Sequence, residues 1–248
     1  DVKLWVGPPL MEGRYGFYRC YLGEAERQNI DLSLATAGLR SDGSATQWEL
    51  ENVAIKPFPM CHFVHASADA AIALHRSGLD PKRIRSVEVL VPAEVVQAVC
   101  EPVAKKRRPV SDYDAKFSLP YAVASGLLRG RLGLKELTPE AYGDPHALAL
   151  MDRTDYVEDP DSSFPLHYTG EVRVTLDDGR TLRHREAVNR GHAERPLTND
   201  EVRAKFFENA TLHFPLAHAQ AVCEQVLALD RLANVQTLET LLARDPAH

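Results

Sequence analysis

The densest gathering of chemically competent side chains is Lys56-Pro57-Phe58-Pro59-Met60-Cys61-His62-Phe63-Val64-His65, with Asp69 one helical turn further on. An ammonium, a thiol, two imidazoles and a carboxylate could bind an acid, move a proton or hold a metal. His62, His65 and Asp69 are separated by three and four residues, so a helix would set all three on one face. Two prolines restrict the backbone just after the lysine. Cys61, His62, His65 and Asp69 are all possible metal ligands, but a helical Cys-x-x-x-His supplies only two and no second pair stands out, so the expectation is no metal. A thiol nucleophile at Cys61 would need an oxyanion-stabilising glycine-rich element, and none accompanies it. The plainer alternative is that His65 and Asp69 form a buried hydrogen-bonded pair while Lys56 is solvated.

A second group runs Lys105-Lys106-Arg107-Arg108-Pro109 and then Asp114-Ala115-Lys116-Phe117-Ser118-Leu119-Pro120-Tyr121. Consecutive cations could steer an acidic ligand or form a solvated loop. Tyr121 could donate a proton or serve as a core aromatic. No P-loop, GxGxxG, GxSxG or HExxH pattern occurs, which removes the phosphate-cradle, Rossmann, hydrolase-elbow and zincin readings.

The elements that must position these groups follow from periodicity. Val53-Ala54-Ile55 predicts a short strand ending at Pro57 and Pro59. Val64, Ala68, Ala71, Ile72 and Leu74 predict a helix that Gly78 stops. Ile84 to Val91 alternates as a strand, and Pro92 ends it. Asp112 to Gly130 reads as helical, with Pro120 either opening the true helix or kinking it. Short helices near 139–142 and 145–151, a strand at 154–157 and a loop at 160–165 follow. Glu171 to Leu176 and Arg180 to Arg185, joined through Asp177-Asp178-Gly179, predict an antiparallel hairpin. Thr198 with Glu201 three residues later is a capping box, and helices are expected over 216–229 and 233–243.

The expected fold class is α+β. Residues 51–196 form an α+β unit inserted between 1–50 and 197–248, two segments that lack strands and would pack together as an incomplete helical domain.

With 248 residues, Lys+Arg 29 against Asp+Glu 35 and a net charge of -6, nucleic acid is excluded as the expected partner. No run approaches the roughly 18 apolar residues of a membrane helix, and the N-terminus carries no secretory signal. Cys20, Cys61, Cys100 and Cys223 are far apart, so reduced thiols in the cytoplasm are expected. A start at Asp1 suggests that part of the parent protein is missing.

Ile55 to His65 with Asp69-Ala70-Ala71, and Asp114 to Ala124, together resemble the MmgE/PrpD family, as does Glu12-Gly13-Arg14-Tyr15-Gly16-Phe17 upstream. Phe58 stands where that family commonly has tyrosine, and Ala68 where it commonly has a larger apolar residue. The resemblance implies a C-terminal portion: an α+β lid at 51–196 and fragments of a helical domain, with the cleft between them. The family's N-terminal half, with an Asp/Thr/His cluster and a second active-site lysine, has no counterpart. The resemblance further implies a cofactor-independent lyase, a dehydratase or decarboxylase, acting on a small di- or tricarboxylate such as 2-methylcitrate, and a homodimer. It casts Lys56 as a catalytic residue that neutralises a substrate carboxylate or moves a proton. Tyr121 would donate a hydrogen bond to a departing hydroxyl or developing enolate, and Cys61, His62, His65 and Lys116 would line the same pocket. A hydratase or epimerase, or a non-catalytic lid or oligomerisation module, are the alternatives.

Overall fold

The structure, a computed structural model, describes residues 53–243. The readings made for residues 1–50, including Glu12 to Phe17, lie outside the described residues.

Alanine sets the spacing of the core. The helix His65–Arg76 (α1) buries Ala66, Ala68, Ala70 and Ala71, small side chains that let neighbours approach closely. The chain leaves α1 at Ser77-Gly78 and enters the strand Ile84–Val91 (β1). A long crossover follows, as a parallel partner strand requires. It contains single turns at Val96–Val99 and Val103–Lys106, the helices Asp112–Lys116 (α2) and Leu119–Arg129 (α3), a turn at Pro139–Tyr142, and the helix Pro145–Asp152 (α4). Strand Thr154–Glu158 (β2) then pairs with β1 in parallel, Val87 opposite Thr154. The hairpin Gly170–Leu176 (β3) and Thr181–Glu186 (β4) completes a four-stranded sheet in the order β2-β1-β3-β4, with β3 antiparallel to both β1 and β4. Helices Asn199–Ala210 (α5), Leu216–Leu227 (α6) and Gln236–Leu242 (α7) follow. The fold is α+β, as expected.

One sheet face carries Val87, Val89, Val172 and Val174, all buried, and α1 packs across β3 and β4. The other carries charge: Arg173 reaches Glu88 at 3.1 Å and Glu171 at 2.7 Å. Behind α1 lies α3, where a Cβ on Gly126 would sit 2.7 Å from the Ala71 Cβ and 3.1 Å from the Ala68 carbonyl oxygen. Only glycine permits that approach.

One expectation changes and another is resolved. Val53-Ala54-Ile55 is not a strand; the Ile55 amide donates to the Gly191 carbonyl at 2.9 Å, outside the sheet. The segment 112–130 divides into two helices, and of the two readings of Pro120 the first holds: it opens the true helix, in the first turn of α3, where Ser118 caps by accepting from the Tyr121 amide at 3.1 Å. The capping box forms as the spacing requires, with the Glu201 amide donating to Thr198 Oγ1 at 3.2 Å and the Thr198 amide to Glu201 Oε2 at 2.8 Å. No helix among the described residues is long and apolar enough to cross a membrane.

Candidate functional site

Main-chain tethers hold Lys56 to His65 in place. The Ile55 amide donates to Gly191, whose φ of 87° suits glycine, and a Cβ there would fall 1.9 Å from the Ile55 oxygen. Lys205 Nζ donates to the Lys56 carbonyl at 2.6 Å, and the Cys61 amide to the Lys116 carbonyl at 2.9 Å. Pinned at several points, the segment leaves its side chains to the surroundings. Lys56 is exposed, with Nζ 3.5 Å from the Met60 carbonyl, and Cys61 is half-buried.

Phe58 is buried, with the Arg190 guanidinium 5.3 Å from its ring centre. Arg190 donates to both oxygens of Asp69, the shortest contact 2.8 Å, and to Glu201 Oε1 at 2.8 Å. Burial raises the Asp69 carboxyl above its usual range, with the Arg190 contacts opposing. His65 and Asp69 are therefore both buried but not paired: His65 Nε2 instead donates to the Met60 carbonyl at 3.2 Å. Burial, reinforced by His62, pushes the His65 pKa down to about 3, so its ring is neutral.

His62 is the histidine left partly open. Its Nε2 accepts from Asn189 Nδ2 at 2.9 Å, and its ring lies 4.7 Å from Tyr168 and 5.0 Å from His65. Burial lowers its pKa, and the charges of Lys56 and His192 lower it further.

Beside this segment, a cavity of about 400 Å³ is bounded by Pro57 and Phe58 and lined by Arg76, Arg131, Arg190 and Lys205 against Glu201 and Glu208. Four cations and two acids line it, but Asp69 behind Arg190 and Glu136, 2.8 Å from Arg131, add two more carboxylates, so the wall is rich in cations without a net positive charge. Lys56 does not line it, but joins it through its main chain at Lys205 and Pro57.

Of the residues expected in one pocket, Lys56, Cys61, His62 and His65 share a turn of chain, whereas Tyr121 and Lys116 are elsewhere. Tyr121 is fully buried, its hydroxyl donates to the Glu136 carbonyl, and burial pushes its pKa up to about 12. In this structure its phenol is a core strut, committed to main chain rather than presented to a ligand. Lys116 brings its carbonyl to Cys61, but its ammonium pairs with Asp112 at 2.8 Å on the outer surface of α2. His65 has no exposed surface, so it supports the site from beneath. The basic run is also largely spent: Lys106 Nζ donates to the Ala98 carbonyl, Arg107 pairs with Asp155 and Arg108 with Asp152.

Arg190, Asn189, Arg131 and Lys205 were not marked by spacing. Arg190 joins Asp69 across 121 residues of sequence, and the only local hint was the polar Asn189-Arg190-Gly191-His192 loop. His167, His192 and Glu194 bring one ligand atom each within 4.8 Å of one another, a set that could hold a divalent cation. Here the Glu194 carboxylate lies 3.2 Å from His167 Nε2 without a formed hydrogen bond, and its amide donates to His192 Nδ1 at 3.2 Å.

The description of the MmgE/PrpD C-terminal domain matches residues 58–230, which include His62, Asn189, Arg190 and Lys205. The chain belongs to the MmgE/PrpD family. Cis-aconitate decarboxylase of Mus musculus is 27% identical over 257 aligned residues, covering 96% of this MmgE/PrpD chain and 51% of the relative. That of Homo sapiens is 26% identical, covering 96% and 52%. The mitochondrial 2-methylcitrate dehydratase of Yarrowia lipolytica is 28% identical over 193 residues, covering 72% and 35%. The MmgE/PrpD chain thus spans about half the length of the cis-aconitate decarboxylases it matches.

Proposed function

We propose that this chain supplies the carboxylate-binding wall of a lyase, a decarboxylase or dehydratase, acting on a small di- or tricarboxylate. The observation that carries the reading is the cavity of about 400 Å³ lined by Arg76, Arg131, Arg190 and Lys205, with Lys205 bound to the Lys56 carbonyl. Its volume falls in the range usual for small-molecule sites, roughly 300–1,000 Å³. Relatives that act on cis-aconitate and 2-methylcitrate support the same substrate class.

Both reactions build negative charge beside a carboxylate. Loss of carbon dioxide leaves the electron pair of the broken C–C bond on carbon. Removal of a proton next to a carboxylate, followed by departure of hydroxide, passes through an enolate-like species. Fixed cations lower either barrier because they are already oriented when the charge develops. Arg76 and Lys205 would hold the remote carboxylates from within the cavity, and the exposed Lys56 ammonium, outside its lining, would meet the reacting one at the cavity's edge.

Turnover of cis-aconitate and 2-methylcitrate, with isothermal titration of the same acids, tests this. Lys56→Ala is expected to lower kcat on the order of 100-fold or more, and Lys205→Ala to weaken acid binding, with the unfolding midpoint of the Lys56 variant unmoved. Unchanged turnover in Lys56→Ala removes the lysine from the mechanism.

A further inference from the structure

His62 offers two ring nitrogens, and its neighbours decide which one carries the proton. The Tyr168 amide N–H can only donate, and it meets Asn189 Oδ1 at 3.0 Å. That contact fixes the amide orientation, because the reverse would set the NH2 group against another donor. The Asn189 NH2 therefore faces His62 Nε2 at 2.9 Å. An amide NH2 can also only donate, so Nε2 must present its lone pair and the neutral ring must carry its proton on Nδ1. Asn189 is buried at 1% exposure, which leaves no solvent to relieve a mismatch.

We propose that Asn189 is a positioning residue that locks His62 in its Nδ1–H tautomer, making the ring a hydrogen-bond donor to a bound acid and withdrawing it from service as a base. The donor role rests on the carboxylate reading above; the tautomer does not. Among the described residues Nδ1 has no hydrogen-bond partner. Protonating Nε2 would set its N–H against the Asn189 NH2, and the groups around the ring agree with that: Lys56 and His192 oppose a positive charge there, His65 is neutral and Tyr168 presents an aromatic ring. A neutral donor binds an anion without first having to be charged, and it cannot take a proton at Nε2 without losing Asn189. The base of the reaction is then a different group.

Nitrogen-15 NMR of the histidine-labelled protein tests the lock, with His62 assigned by its absence in His62→Gln. The expected spectrum near neutral pH has a protonated Nδ1 and an unprotonated Nε2. In Asn189→Asp the carboxylate keeps the Tyr168 contact but accepts from Nε2–H. The tautomer should therefore reverse, and the proton affinity of His62 should rise by about tenfold or more. A wild-type spectrum with Nε2–H overturns the lock whether or not the variant folds, as does an Asp variant with an unchanged tautomer. Titration with citrate should shift the Nδ1 resonance. A correct tautomer with no response to citrate overturns the donor role while leaving the lock in place.

Discussion

The segment from Ile55 to His65 is anchored by main-chain bonds and by the buried Phe58, Met60, Val64 and His65, which leaves other polar side chains open, whereas the segment from Ser118 to Ala124 turns all of its side chains inward. In the first, Ile55, Lys56, Met60 and Cys61 all use backbone groups as anchors, so Lys56 and His62 are left at or near the surface. In the second, Leu119, Tyr121, Ala122, Val123 and Ala124 are all buried, and the phenol of Tyr121 closes on the Glu136 carbonyl. Both segments carry the family pattern. Their construction differs because a site must free its polar groups, whereas a core must satisfy them. A shared motif therefore marks a place in the fold and leaves open whether that place does chemistry.

The sharpest way to break this contrast is at Tyr121. Tyr121→Ala removes a fully buried aromatic and is expected to cost about 3–5 kcal/mol, while Tyr121→Phe, which leaves a buried carbonyl without its donor, costs about 1–3 kcal/mol. Denaturant unfolding measures both. If Tyr121→Ala costs less than about 1 kcal/mol, Tyr121 is not a strut and the contrast fails.

His65 sits under the first segment and gives it a pH signature. Its pKa is about 3 in the folded chain against 6.5 as the ordinary value. Between those values the unfolded chain binds a proton that the folded chain does not, so its contribution is fully present above the unfolded value and is lost as pH falls. The slope is up to about 1.4 kcal/mol per pH unit. His65→Gln, whose amide can still reach the Met60 carbonyl, should flatten the dependence of stability on pH across that window. An equally steep curve in the variant assigns the acid sensitivity elsewhere.

What could be read in advance was local. The Asp177-Asp178-Gly179 turn, the Thr198 to Glu201 box and the alternation of β1 depend on neighbours a few residues away, and all three form. Val53-Ala54-Ile55 had strand-forming residues, but among the described residues it joins no strand of the sheet and Ile55 bonds instead to the Gly191 loop. The cluster from Lys56 to His65 was legible as a concentration of polar groups. Its partners were not, because Asn189 reaches His62 across 127 residues and no periodicity spans that distance. The fate of Tyr121 was equally hidden, since a tyrosine opening a helix looks the same until the Gly133 to Glu136 turn folds back over it.

The smallest expected effect on folding separates two lysines, one from each segment. Among the described residues Lys56 Nζ has only a long contact to the Met60 carbonyl at 3.5 Å, and Lys116 has a surface partner one helical turn away in Asp112 at 2.8 Å. Neither Lys56→Ala nor Lys116→Ala should shift the unfolding midpoint measurably, because exposed ammonium groups exchange protein contacts for water at little net cost. Citrate binding should tell them apart. A lysine that touches the acid contributes a contact that persists at moderate salt, whereas one that only adds to the overall field is screened within roughly 8 Å at physiological ionic strength. Lys56→Ala should therefore weaken binding at physiological salt, while Lys116→Ala leaves it unchanged. Equal losses in the two variants, both vanishing as salt is added, would mean that the acid is drawn by general charge and that the first segment has no privileged contact with it.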